Sequence, residues 1–396
     1  MSTTYFNTRE VELAVQDEAT YGTKPGTVAA GDFFKATSRL VVTPVISRYF
    51  RDQDGSVGQG SILGVQQGRT HSEVKIDVDA IPSGSGTTPP DIDLLLVNAF
   101  GKKHTGTADT TTGSGSTGTT LELTTGGGSS SGIAIGDLIG IDVDATYGIE
   151  VRRVVNISTD TVTLDRALSA DPASGRAVHV GTTYSPSFSA VGSLYLWQFI
   201  TTVKHAVPGL IVPDHTINVD YSGDTPNVKE SFSGMGMMEV THTDTRPTPT
   251  TTGDPLIPDK GRAWIGDTKF CLVNASLHTN NGRGLRMNES CSLDPTGVKF
   301  TGNNGYFLTE AAVSMLLATG DIDTSAIYNS AKDTVANPFD LLVQNGATAG
   351  KIVAWSVPRF IVTPGRVELD GEMGVSLAGG RGIGTTGDDD VFLAFL

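Results

Sequence analysis

Residues 69–101 read RTHSEVKIDVDAIPSGSGTTPPDIDLLLVNAFG, and this stretch decides the fold class. Its first half alternates strictly. Val74, Ile76, Val78 and Ala80 fall on one side, and Glu73, Lys75, Asp77 and Asp79 on the other. A period of two marks a strand with one dry and one wet face. The second half predicts a short helix with Thr88 as its N-cap, Pro89 at the first helical position and Asp91 three residues after the cap. Leu94, Leu95 and Ala99 are then expected to bury one face, and Gly101 to end the helix.

Working outward toward the N-terminus, residues 11–15 read as extended and EATYGTKPGT as a turn-rich segment. Residues 37–47 predict a strand, which Pro44 confines to an edge or a bulge. Between it and the deciding stretch lies RYFRDQDGSVGQGSILGVQQG, residues 48–68, read as a long loop. Loops of this length are functional or disordered. Tyr49, Phe50, Arg51, Asp52, Ile62 and Leu63 are its candidate contact residues for another molecule. On the C-terminal side, residues 102–120 have the Gly, Ser and Thr composition of a linker. Alternating strands separated by Gly and Asp turns then predict a small β-module at 119–184, of SH3-like or Ig-like size and inserted into the main body. Residues 193–204, 214–222 and VKESFSGMGMMEV are further strands, and the Pro- and Thr-rich 241–260 is a connector.

The plan then recurs. Residues 269–278 match 37–47, 279–303 match 48–68, and 305–320 stand where 69–81 stood, although EAAVSMLLA also suits a helix. Asn337-Pro338-Phe339-Asp340, followed by Leu341 and Leu342, repeats the capped-helix signature. IVAWSVPRFIVT parallels SLYLWQFITTVK, with Trp355 matching Trp197, and RVELDGEMGVSL parallels HTINVDYS. The spacing predicts an internal duplication. One half comprises 1–118 and 185–245, the insert is 119–184, and 246–396 completes or repeats the fold.

Composition bounds the function. The chain has 396 residues, of which 48 are Gly, and two or three domains are expected at this length. A formal charge of −15 makes it a poor grip for nucleic acid, since neutralising phosphates requires Lys and Arg. Cys271 and Cys291 are expected to be thiols rather than a disulfide scaffold. No apolar run approaches the roughly 20 residues of a membrane helix, so membrane insertion is not expected. The seven histidines show no i, i+4 ligand pair and there is no Cys-x-x-Cys. DVDATYGIE departs from a calcium loop in the placement of its Gly and Glu. GGRGIG lacks the βαβ setting of a dinucleotide site, and no GxSxG or P-loop occurs. The expectation is a non-enzymatic protein without metal or cofactor.

LAVQDEATYGTKPG, the alternating strand followed by PPDIDLLLVNAFG, the GDLIGID…GIEVRRVV…DTVTLDRAL module and the closing DDDVFLAFL together resemble the major tail tube proteins of long-tailed bacteriophages. The resemblance touches most of the chain. It implies a mainly-β, tail-tube-type barrel or sandwich flanked by short helices, which would carry Leu94, Leu95, Leu341 and Leu342. It also implies a homo-oligomer whose rings stack into a tube for duplex DNA, in a virion tail assembled in a bacterial cytoplasm. Tape-measure, tail terminator and distal tail proteins would be its partners. Under it, 48–68 is the candidate stacking loop, and Glu73, Asp77 and Asp79 are candidate lumen residues. Two tube-like folds per chain give a pseudo-hexameric trimer, whereas one composite fold gives a hexamer. Other readings are a terminator, baseplate or decoration protein, or a carbohydrate-binding adhesin using Tyr147 of the module.

Overall fold

The structure is a computed structural model that describes residues 11–38, 41–52, 62–124, 126–187, 192–200, 203–221, 227–251, 253–256, 261–283, 285–286, 299–300, 310–317, 338–369, 372–385 and 389–396. It is mainly β. The first strands are β1 (Val11–Asp17), β2 (Phe33–Phe34), β3 (Val42–Asp52) and β4 (Ile62–Asp79), followed by helix α1 (Asp93–Phe100) and β5 (Gly101–Thr105). A small module follows, with β6 (Thr110–Thr111), β7 (Thr120–Glu122), the short α2 (Gly127–Ser131), β8 (Leu138–Asp142), β9 (Ile149–Ser158), β10 (Thr161–Leu164) and β11 (Ala177–His179). The chain returns through β12 (Thr182–Pro186), β13 (Leu194–Ile200), β14 (Val203–Asp220), β15 (Asn227–Gly236) and β16 (Val240–Thr241). Its last part contains β17 (Arg262–Ile265), β18 (Thr268–Asn280), β19 (Leu285–Arg286), β20 (Lys299–Phe300), β21 (Glu310–Leu317), β22 (Phe339–Thr348), β23 (Lys351–Leu369), β24 (Glu372–Gly382) and β25 (Phe392–Phe395).

The deciding stretch folds as its alternation requires. Val74, Ile76, Val78 and Ala80 of β4 and the residue after it are buried, while Glu73 and Lys75 are exposed and Asp77 and Asp79 half-buried. The helix starts later than its capping signature suggests. Pro90 pushes Pro89 toward extended backbone, and the Thr88 amide donates to the Ser85 carbonyl at 3.2 Å in a turn. The first helical residue is therefore Asp93, after Ile92, which makes no side-chain cap. Leu95, Leu96, Ala99 and Phe100 are buried, and Leu94 packs at the margin of the core. Gly101 ends the helix at φ +104°, a left-handed conformation that favours glycine.

Three other expectations are corrected. Residues 48–52 and 62–68 are strand rather than loop: β3 and β4 pair there from Arg48↔Gln67 to Asp52↔Ile62. Aromatic and β-branched residues on both arms suit strands. The backbone of Tyr49, Phe50, Arg51, Asp52, Ile62 and Leu63 lies in this hairpin, and their side chains and residues 53–61 lie outside the described part. Leu341 and Leu342 belong to strand β22, not to a helix. Leu341, Leu342, Val343, Gln344 and Asn345 are each 0% exposed, and β17 and β23 flank them on either side. A run buried on both faces is the mark of a central strand rather than of an amphipathic helix. Within the supposed linker 102–120, Lys102–Thr105 pair with β12.

The pairing order repeats. In the first half the strands lie side by side as β3–β4–β15–β14. In the second half they lie as β18–β21–β24–β23. Each half also brings a preceding strand onto the last member, β13 on β14 and β22 on β23. A short strand pairs that one in turn, β1 on β13 and β17 on β22. The two sets join through β14 and β18. This correspondence moves one sequence match by a strand: Trp197 lies in β13, whose counterpart is β22, whereas Trp355 lies in β23. In the second half the pairings β18–β21–β24–β23–β22–β17–β18 return to their start. One cluster, from Ile76 and Phe232 to Trp355 and Phe360, runs through both halves.

The module is a small barrel in strand order β6-β11-β8-β9-β10-β7. The Thr112↔Leu123 bridge and the Thr124 amide bonded to the Thr111 carbonyl at 3.0 Å bring its first and last strands together. Leu121, Ile139, Ile141, Val154, Val162 and Val178 fill it. Tyr147 packs half-buried against this core rather than standing exposed. Alternate residues of the same strands face the body, where Leu138 and Val151 share a cluster with Trp264, Leu342, Ile352 and Phe392.

Candidate functional site

The outward faces of β4, β15, β14 and β18 form one continuous polar surface. Period-two geometry and antiparallel register place like-facing residues in rows across the strands. One row runs Asp79, Lys229, Asn218, Ser276; the next runs Asp77, Ser231, Thr216, His278; a third runs Lys75, Ser233, Asp214, Asn280. Asp220 and Asn274 continue it at one end, and Glu73 lies toward the other. The side chains are short, and they hold one another. Ser231 Oγ donates to Asp77 Oδ1 at 2.6 Å, and Asn280 Nδ2 donates to Asp214 Oδ1. His278 Nε2 lies 3.5 Å from the same Asp214 oxygen. The Ser38 hydroxyl accepts the Asp77 amide at 3.1 Å.

Glu73, Asp77 and Asp79, singled out in the sequence, thus share one face of one strand. The structure adds Asp214 and Asp220 from β14 to the same face, with Lys75 and Lys229 as its cations. The signal for the added pair was present in DHTINVD, where Asp214, Thr216, Asn218 and Asp220 alternate with His215, Ile217 and Val219. No ion pair among the described residues engages Lys75 or Lys229.

The other face of these strands is largely apolar, with Ser72, Thr279 and one charged pair buried in it. His215 and Glu230 are both fully buried, and Nε2 lies 2.8 Å from Oε2. The imidazole packs between Phe100, edge-on at 5.4 Å between centroids, and Phe232, tilted at 4.8 Å. Above α1, the Tyr184 hydroxyl donates to Asp93 Oδ1 at 2.7 Å, and burial followed by that carboxylate pushes the phenol up.

A second polar cluster fixes the module to the body. Arg166 is buried and reaches Asp340 Oδ1 at 2.5 Å, Asp165 Oδ2 at 3.2 Å and the Trp264 and Gly266 carbonyls at 3.3 and 3.0 Å. Arg152 lies over the Trp264 ring at 4.7 Å and bonds Glu150 at 2.7 Å; burial lowers its guanidinium to about 10. Gln344 continues the module's backbone pattern into β22, accepting the Val151 amide at 3.0 Å and donating to the Ile149 carbonyl at 2.9 Å. Desolvation pushes the Asp340 carboxyl up to about 6, against the pull of Arg166. Nothing in the sequence pointed to this cluster, because Arg166 and Asp340 lie 174 residues apart.

The hairpin of β3 and β4 is the other prominent feature. β15 covers β4 only as far as Gly236↔Ser72. Beyond that point, among the described residues, the two strands pair with each other alone, from Val45↔His71 outward. A two-stranded ribbon is marginal in water without further packing. Among the described residues no group of three or more His, Cys, Asp or Glu could hold a metal ion. No protein-family model matches the chain, and a search of curated proteins finds no significant match.

Proposed function

We propose that this chain is a structural subunit of a phage-type tail tube, which self-assembles into stacked rings around a channel for duplex DNA. The observation that carries this reading is the polar face. It is wide, built on strands, lined by Ser, Thr, Asn and Asp, and weighted toward carboxylate, with Glu73, Asp77, Asp79, Asp214 and Asp220 against Lys75 and Lys229. Duplex DNA carries one charge per about 1.7 Å of axis, so a 10 Å slice holds roughly six. A basic wall would bind that slice and hold it. A weakly acidic wall repels it over about 8 Å at physiological salt and lets it pass.

The repeated strand order supports three chains per ring rather than six, each chain supplying two equivalent sectors of a pseudo-sixfold wall. The hairpin of β3 and β4, projecting past the sheet, suits contact with a neighbouring subunit or ring. Tape-measure, tail terminator and distal tail proteins are the partners this role entails, and the site of action is the virion tail. The role requires no cofactor and no catalytic residue.

Charge reversal tests the lining. Asp77→Lys with Asp79→Lys should leave tubes visible by electron microscopy and slow or trap DNA delivery. Delivery at the wild-type rate from normal tubes would remove these residues from the channel wall. Purified protein that stays monomeric at rising concentration would remove the tube.

A further inference from the structure

Among the strand edges with no partner in the described residues are those of β3 and of the end of β23. Residues 42–46 of β3 pair only with β4, and residues 363–369 of β23 pair only with β24. Inside the chain the corresponding edges meet. β14, the counterpart of β23, pairs with β18, the counterpart of β3, from Asp214↔Asn280 to Asp220↔Asn274. We infer that β3 of one chain adds antiparallel to residues 363–369 of β23 in a second copy, so that the β14–β18 joint within the chain is repeated between chains. The inference rests on the self-assembling reading above.

The backbone parity of the two joints agrees. The Lys75 amide donates to the Val41 carbonyl at 2.9 Å. Residues 41, 43 and 45 therefore turn their backbone groups to β4, and 42, 44 and 46 turn theirs to the open edge. In β18 the odd residues face β14: the Tyr221 amide donates to the Val273 carbonyl at 2.9 Å, and the Asn281 amide to the Pro213 carbonyl at 3.0 Å. In β18 those odd residues are also the core-side ones, Ala275, Leu277 and Thr279. In β3 the open-edge residues are likewise core-side, because Val42 stands opposite buried Val74 and Pro44 opposite buried Ser72.

Burial supplies the independent observation. Across the β14–β18 joint, Ala275, Leu277 and Thr279 are 3%, 0% and 1% exposed. On β3 the core-side series begins buried at Val42 and then runs out of cover: Pro44 is exposed and Ile46 is 40% exposed. A free edge strand carrying an uncovered large apolar side chain invites another strand. The chain that fits is a copy of itself, since its own internal joint already has this pattern. Antiparallel addition would bury Ile46 as the internal joint buries Leu277. Pro44 lacks an amide, so this edge offers donors at 42 and 46 only.

Cysteine pairs test the joint. With Cys271→Ser and Cys291→Ser as background, Ile46→Cys is combined in turn with Pro364→Cys, Arg366→Cys and Glu368→Cys, the positions on the side of β23 that pairs with buried Leu377. Each full-length variant is oxidised and run without reductant. At least one pair should give interchain bands ending at a three-chain species that reductant collapses. Ile46→Asp, at a side chain already open to water in the single chain, should leave thermal unfolding unchanged and weaken self-association measured by sedimentation by about tenfold or more. Tubes or rings that form normally with Ile46→Asp and give no crosslink with any pair would overturn the joint and leave the tube standing. Wild-type protein that shows no self-association at any concentration would overturn both.

Discussion

The two halves of this molecule follow one strand order with different sequences. β3–β4–β15–β14 carries α1 and an inserted barrel, whereas β18–β21–β24–β23 bends round until β17 closes its circuit onto β18. Equivalent strands do not share landmark residues. Trp197 and Trp355 look like partners in the sequence, yet they sit one strand apart in the repeated plan. What the halves share is which edges meet, and that depends on alternating burial, which many residue choices satisfy.

The insert belongs by sequence to the first half, where His104 Nδ1 lies 2.9 Å from Asp137, but it is also pinned to the second. Arg166 of the barrel is buried against Asp340 of β22 and the carbonyls of β17 and its turn. Arg166→Ala should therefore produce the largest effect: it leaves buried Asp165 without its guanidinium, and removing one partner of a buried pair costs about 3–5 kcal/mol. Denaturant unfolding should show that loss. A loss confined to a few tenths of a kcal/mol would mean that the apolar cluster around Trp264 and Leu342 docks the barrel without it.

Asp340 gives a smaller, pH-dependent effect. Its folded-state value of about 6 lies above the unfolded carboxylate value near 4. The folded state then holds the proton more tightly between those pH values, so this group's contribution to stability falls as pH rises from about 4 to 6. Asp340→Asn should flatten that part of the stability–pH curve. An unchanged slope would place the titration elsewhere.

The two tryptophans give the smallest contrast. Trp197 Nε1 donates to Gln16 Oε1 at 3.0 Å, while buried Trp355 Nε1 has no hydrogen-bond acceptor among the described residues. Trp197→Phe should exceed Trp355→Phe in cost by about 1 kcal/mol, the net worth of a hydrogen bond. Equal costs in urea unfolding would show that ring volume alone sets both.

Much of the fold was legible where one local rule acted alone. Alternation placed β4 and its dry face, and Gly101 marked the end of α1 because few other residues adopt its backbone conformation comfortably. Reading failed where two rules competed. Thr88-Pro89-Pro90-Asp91 carries capping chemistry, but the second proline bars the first from the helix. Asn337-Pro338-Phe339-Asp340 carries the same signature, yet the five residues after it are buried on both sides between strands. Residues 48–68 look like a loop because their glycines and glutamines dominate the eye over Tyr49, Phe50 and Val65. The polar face was half legible: Glu73, Asp77 and Asp79 were visible, and Asp214 and Asp220 obeyed the same period in a strand read only for its existence.

The amino-acid order alone determined the β class and the wet and dry sides of individual strands. These are local properties, set by residue type and a repeat of two. Only the tertiary structure decided that β14 meets β18, that Arg166 finds Asp340 across 174 residues, and that β3 and the end of β23 are left as open edges. Backbone amides and carbonyls are the same at every residue, so a strand's pattern states that it needs a neighbour without naming which one.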